Sequence, residues 1–351
     1  MKPPVHSVLC SLLWVMLTLS GCSNTPEPPF APNVEEGAAL YGKYCALCHG
    51  PEGEGYAADS ATNLNNVTFL ATSSDLFLYN AISEGHPGTT MSPWADYRGG
   101  PLGETDIWNI VGLLRSWQTL ASVDVTNAVI KGVALRGEPV YEVYCESCHG
   151  PNGSDGPYVT LNNPQFLANA SNGFIRFAVI NGRPDTPMPA YQSQLTPQDI
   201  DDVVTLIRSW EQPIDTGPLL FPSLNLGDPT LNPEADDPEF TEGERFISLD
   251  SLVEALQTPA KLILLDARPP ADYVRGHIPG AVSVPFYAVE DFVDQLPKDT
   301  WIVAYCGCPH AESSAAADTL EAKGFTQIAV LDEGYDAWEE TGLGVVVGPT
   351  P

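Results

Sequence analysis

The chain has 351 residues, enough for two or three domains, and an apolar share of 43%, ordinary for protein that forms cores. Its 15 basic residues face 45 acidic ones, a formal charge of −30. That balance excludes a nucleic-acid binder, which needs a cationic surface; it suits solvated faces or the steering of basic redox partner proteins. Of the eight cysteines, Cys10 and Cys22 fall near the start and four fall in a repeated motif, so only Cys306 and Cys308 remain. No long-range disulfide framework is expected.

Residues 1–21 carry Lys2 and then an apolar run from Val8 to Leu19, too short to span a bilayer and built like a signal peptide. They lead into Leu19-Ser20-Gly21-Cys22, which resembles a bacterial lipobox. The resemblance implies an acylated Cys22 as the first mature residue. It also implies export to the cell envelope, a periplasm-facing position and a membrane anchor of more than one acyl chain. An ordinary cleaved signal or an uncleaved anchor is the alternative. Ser23 follows rather than Asp, which in a Gram-negative envelope points to the outer membrane. Residues 22–34 read as a proline-rich extended tether.

Cys45-Ala46-Leu47-Cys48-His49 is a C-x-x-C-H pentapeptide, and it recurs 100 residues later as Cys145-Glu146-Ser147-Cys148-His149. The repeat extends well beyond the motif. Tyr41 and Tyr44 precede one copy, Tyr141 and Tyr144 the other, and each continues as Gly-Pro-x-Gly. Each repeat closes on a helix ending Arg-Ser-Trp. Ile107, Ile110, Val111, Leu114 and Trp117 fall at steps 0, 3, 4, 7 and 10, as do Ile200, Val203, Val204, Ile207 and Trp210, which predicts one buried helical face. Thr196, Pro197 and Asp199 form a strong helix start. Residues 35–48 read as the opening helix of repeat one.

Two thiols three apart on a helical turn point the same way and can add to one edge of a haem, and the histidine after them can ligate its iron. Past the leader the only methionines are Met91 and Met188, one per repeat. A thioether as sixth ligand raises the reduction potential and suits electron transfer. His86 stands as a rival to Met91. A zinc site would lack a second ligand pair. On these residues, stretches 35–118 and 136–211, joined by a connector at 119–135, each resemble a small cytochrome c domain of the kind found in haem subunits of bacterial terminal oxidases. The resemblance implies all-α domains with two covalently bound haem c groups. Cys45, Cys48, Cys145 and Cys148 would be the thioethers; His49 with Met91 and His149 with Met188 would be the axial pairs. The family's proline beyond the motif has a candidate in Pro164 of repeat two. Repeat one reads Thr62-Asn63-Leu64 there, which puts the support of His49 in question.

Residues 212–245 are a proline-rich acidic linker without helical or strand period. It is long enough that docking of the third domain on the first two is open. From 246 the pattern alternates strand and helix: strand runs at Lys261–Asp266, Trp301–Tyr305 and Gln327–Leu331, and a helix at Ala311–Lys323 stopped by Gly324. That predicts an α/β domain with a parallel sheet at 246–345, and then a short tail, 346–351. Leu265-Asp266-Ala267-Arg268, Gly276-His277-Ile278-Pro279-Gly280-Ala281, Val303-Ala304-Tyr305-Cys306 and Leu331 to Trp338 resemble the rhodanese family. The resemblance implies a Cys306 nucleophile that carries sulfane sulfur as a persulfide, with small sulfur compounds as substrates. The family's loop arginine is absent, with Ala311 or Glu312 in its place, and an acid there disfavours thiosulfate. Cys308 reads as a resolving thiol, and Cys306, Cys308 and His310 also read as a soft-metal cluster. An inactive fold used for binding is the third reading.

Overall fold

The computed structural model describes residues 30–58, 61–214, 217, 219–241, 243–307 and 310–351. The leader with Cys22, and Cys308 with Pro309, lie outside the described residues. No helix among the described residues is long and apolar enough to cross a membrane.

Repeat one consists of α1 (Val34–Tyr44), α2 (Ala46–His49), α3 (Val67–Thr72), α4 (Asp75–Glu84) and α5 (Glu104–Ser116). Repeat two matches it with α6 (Ala134–Tyr144), α7 (Glu146–His149), α8 (Pro164–Asn169), α9 (Asn172–Asn181) and α10 (Pro197–Ser209). The opening segment is not one helix to residue 48: it breaks at Cys45, whose φ of −114° ends α1 and opens the motif's own turn. Thr196 and Asp199 form the reciprocal cap expected at the start of α10. Ile107, Ile110, Val111 and Leu114 of α5, and Ile200, Val203, Val204 and Ile207 of α10, are buried as their spacing requires.

The opening and closing helices cross at a glycine in both repeats. A Cβ on Gly37 would lie 2.1 Å from the Asn109 carbonyl oxygen, and one on Gly137 would lie 2.5 Å from that of Asp202. The crossing point is also gripped by a polar side chain: Asn109 accepts from Asn33 N–H at 2.8 Å, and Asp202 from Val133 N–H at 2.6 Å.

The Arg-Ser-Trp ends have separate tasks. Arg115 donates to the carbonyls of Leu70 and Ser73 and pairs with Asp75. Arg208 does the same for Leu167 and Ala170, with Asn172 in place of the acid. Each arginine thus satisfies carbonyls at the end of α3 or α8 that have no partner within the helix. Trp117 meets Tyr41 edge-on at 5.2 Å and Trp210 meets Tyr141 at 5.1 Å. A Cβ on Gly53 or Gly153 would strike those indoles at 2.5 and 2.7 Å, which accounts for the second glycine of each Gly-Pro-x-Gly.

Domain three contains β1 (Phe246–Ile247), α11 (Leu249–Gln257), β2 (Leu262–Asp266), α12 (Pro270–Arg275), β3 (Val282–Ser283), β4 (Trp301–Tyr305), α13 (Ala311–Ala322), β5 (Ile328–Leu331) and α14 (Gly334–Glu340). The five strands are all parallel in the order β1-β5-β4-β2-β3, with the fully buried β2, β4 and β5 at its middle. Two-residue β1 and β3 carry too little pattern to be read from sequence. Glu333 receives the Leu249 N–H at 2.8 Å, so it helps start α11.

The described part of the linker is bound rather than free. Arg98 donates to Gly217 O, Leu226 N–H to Gln295, and Leu231 pairs with Leu262 in an antiparallel bridge. Domain three docks on repeat one. Tyr44 and Trp94 pack against Tyr287 at 5.5 and 5.9 Å, and Trp94 against Phe286 at 6.3 Å.

Candidate haem sites and the Cys306 loop

Each C-x-x-C-H motif is a turn held from both sides. His49 N–H returns to Cys45 O at 2.9 Å, and Tyr41 donates its hydroxyl to Gly50 O at 2.7 Å. Repeat two gives 2.9 Å for His149 to Cys145 and 2.8 Å for Tyr141 to Gly150. The imidazoles are fixed by backbone. Nδ1 of His49 donates to Thr62 O and that of His149 to Val159 O, both at 2.8 Å. That bond sets the tautomer and leaves Nε2 as the free lone pair. Burial lowers the pKa of both rings, which keeps them in the neutral, ligating form. Pro164 does not support His149; it opens α8 at its first position. The same carbonyl support exists in both repeats, so the absent proline costs repeat one nothing here.

Met91 and Met188 stand on matching turns. Each accepts at its carbonyl from the residue five earlier, His86 or Arg183, at 2.7 and 3.0 Å. One continuous cavity, about 2520 Å³ with its open mouth counted, is lined by both cysteine pairs, both histidines and both methionines. The donor set fits haem c. Four thiols and four candidate iron ligands converge on mostly apolar walls, and burial pushes the Cys45 and Cys145 thiols up to about 12. His86, the rival ligand, lines the same cavity; burial lowers it to about 4, and Nδ1 has no hydrogen-bond partner.

The two repeats interlock around this cavity. Asn66 caps α3 and donates to Pro184 O at 2.6 Å, and Asn163 caps α8 and donates to Pro87 O at 2.9 Å. Phe69, Phe77 and Phe174 meet between them. Arg183 takes the place that His86 holds in repeat one. It lies 4.9 Å over Phe174 and 5.9 Å over Phe69, with its pKa lowered by burial to about 10 and no ion pair among the described residues.

Cys306 directly follows β4, is fully buried, and has Sγ 3.3 Å from Ser313 Oγ. Its carbonyl accepts Tyr335 N–H at 2.8 Å. The loop abuts the Met91 turn: from a Cβ built on Gly307, Arg268 Cδ is 3.6 Å and Thr90 Cγ2 3.9 Å away. Glu312 on α13 is buried and lines the same cavity as the haem motifs, as does Phe286. Asp266 and His277 are framework. Asp266 pairs with Arg268 at 2.6 Å; His277 faces the Tyr273 carbonyl with Nδ1 at 2.8 Å and the Thr350 carbonyl with Nε2 at 3.1 Å, donating from whichever nitrogen carries the proton, and stacks on Tyr273. Sequence reading missed the docking residues Ser92 and Asp272, whose side chains bond across 180 residues of chain. No local signal marks such a pair.

The family pattern described as cytochrome C oxidase, cbb3-type, subunit III matches residues 32–114 and 132–207, and that of the rhodanese-like domain matches 248–341. A sulfurtransferase of Allochromatium vinosum is 32% identical over 100 residues, covering 28% of this chain and 92% of that protein. The cbb3-type cytochrome c oxidase subunit FixP of Azorhizobium caulinodans is 26% identical over 185 residues, half of this chain and 58% of that subunit. The thiosulfate sulfurtransferase GlpE of Stutzerimonas stutzeri is 30% identical over 82 residues, 23% of this chain and 74% of that protein.

Proposed function

We propose, from the premise that this chain belongs to the rhodanese-like family over residues 248–341 and carries cbb3-type cytochrome c domains over 32–114 and 132–207, that it is a di-haem electron carrier fed by sulfur chemistry at Cys306. Cys45 with Cys48 and Cys145 with Cys148 would hold two haem c groups by thioethers, and His49 with Met91 and His149 with Met188 would be the iron ligands. Haem c held there supplies a one-electron ferric/ferrous couple in each repeat.

In the loading step the Cys306 thiolate and a hydrosulfide ion join in a new S–S bond, with loss of one proton and two electrons; haem c, bound once in each repeat, would supply the two one-electron acceptors that this balance requires. Ser313 is placed to stabilise the Cys306 sulfur. Transfer of the outer sulfur to a thiol acceptor returns the thiolate, and Cys308 is the resolving thiol of this reading. The carrying observation is the approach of the Cys306 loop to the Met91 turn, where a Cβ placed on Gly307 would lie 3.9 Å from Thr90 Cγ2. We place the protein in the cell envelope, facing the periplasm and anchored by lipid on Cys22, which in a Gram-negative envelope points to the outer membrane. Its acidic balance suits basic redox partners.

Mixing the oxidised, haem-loaded protein with sulfide and following haem absorbance tests this. Cys306→Ala is expected to slow reduction about tenfold or more. An unchanged rate overturns the coupling. The buried Glu312, near the place of the family's arginine, favours a second reading in which domain three is an inert binding or thiol-redox module of an electron shuttle. A sulfurtransferase assay with cyanide as acceptor separates the two, since absence of turnover with every sulfane donor supports the inert module.

A further inference from the structure

The two methionine turns are built alike and anchored differently. Met91 and Met188 each donate the backbone N–H to a threonine hydroxyl two residues earlier, at 3.2 Å in both. Three residues beyond the methionine the repeats part. Repeat two has Tyr191, whose hydroxyl donates to Tyr144 O at 2.8 Å and ties the turn to the helix that leads into Cys145. Repeat one has Trp94 there, without a hydroxyl. Trp94 instead lies between Tyr44 of its own repeat, at 5.7 Å, and Phe286 and Tyr287 of domain three. One residue beyond the methionine, repeat two has Pro189, which has no side-chain donor. Repeat one has Ser92, only 4% exposed, and its hydroxyl donates to the Asp272 carboxylate on α12 of domain three. Asp272 is mostly enclosed and also meets Arg275 at 3.3 Å. Repeat one has exchanged an internal anchor for one supplied by another domain.

We propose that Asp272 is a positioning residue for Met91: through Ser92, and with Phe286 and Tyr287 against Trp94, domain three holds the first iron-ligand turn in the way Tyr191 holds the second. The inference rests on the reading of Met91 and Met188 as sixth ligands. It makes the ligation of haem 1, and not of haem 2, answer to domain three. Because the Cys306 loop shares this interface, a change in that loop bears directly on the turn that carries Met91.

The test uses the full-length, haem-loaded protein. Asp272→Ala, and Ser92→Ala as a smaller change, are expected to remove up to about half of the ferric Fe–S charge-transfer band and to lower one of the two midpoint potentials, since loss of the thioether lowers the potential. Adding Trp94→Tyr to Asp272→Ala rebuilds the anchor of repeat two and is expected to restore the band. Tyr191→Phe is expected to move the other potential. Met91→Ala keeps failures apart. A halved band in Met91→Ala with an unchanged band and potentials in Asp272→Ala and Ser92→Ala overturns the anchor alone. A full band in Met91→Ala overturns the ligand assignment and the anchor with it.

Discussion

Repeats one and two make the same pocket from the same parts: a glycine crossing, a tyrosine on the first motif glycine, a tryptophan over the second, and a carbonyl behind the histidine. Their differences concentrate at three paired places, Ser92 with Pro189, Trp94 with Tyr191, and His86 with Arg183. At the first two places repeat two is closed on itself whereas repeat one faces domain three; at the third, Arg183 reaches across to Phe69 and Thr68 of repeat one. The shared parts line the candidate haem cavity, and the divergent ones lie where one part of the chain meets another.

The strongest way to break the likeness is at the crossings. Gly37→Val and Gly137→Val would each drive side-chain atoms into a backbone carbonyl now 2.1 or 2.5 Å from the Cβ position. Each is expected to cost roughly 3 kcal/mol or more, read in thermal melts and haem content per chain, with similar losses in the two repeats. Next come Arg115→Ala and Arg208→Ala, each of which strips two helix-end carbonyls of a donor. About 2 kcal/mol is expected in denaturant titrations, and the Arg115 effect should weaken more with salt, because Arg115 meets Asp75 at 2.5 Å whereas the acid beside Arg208, Glu211, lies at 3.4 Å. Tyr191→Phe should be smaller, about 1 kcal/mol for one hydrogen bond, and confined to repeat two.

The smallest effect sets domain three apart from both repeats. Burial holds the His277 pKa below its ordinary value of 6.5, so the unfolded chain takes up this proton first as pH falls. His277 therefore contributes fully above about pH 6.5, and its contribution is lost as pH falls through the range down to its lowered folded value. Unfolding midpoints of domain three at pH 7.5 and 5.5 should differ in that direction, and His277→Gln should narrow the gap.

Much of this was open to sequence reading because it is periodic or local. The apolar steps from Ile107 and Ile200 placed two helices, the doubled motif placed two sites, and the strand runs around Asp266, Tyr305 and Leu331 placed a parallel sheet. What escaped shares one physical trait: it depends on groups that every residue carries or on partners far along the chain. The support of His49 comes from the Thr62 carbonyl, and no side-chain pattern announces a carbonyl. The sequence pointed to Pro164 instead, where the proline serves a helix start. The arginines of Arg-Ser-Trp were read as a repeat marker, although they cap other helices. Asp272 sits in an ordinary-looking amphipathic turn, and its partner belongs to another domain.

Arg183 makes the two pockets electrostatically unlike. It keeps its charge throughout the physiological range, since its pKa falls only to about 10, while His86, lowered to about 4, stays neutral there. Both side chains line one cavity, as does the buried Glu312 at its domain-three side, so charge is unevenly placed around it. Negative charge near the guanidinium is stabilised by it, in surroundings where water screens little. Two pockets with nearly the same candidate ligands thereby become unequal in local charge, one beside a cation and the other beside a neutral ring.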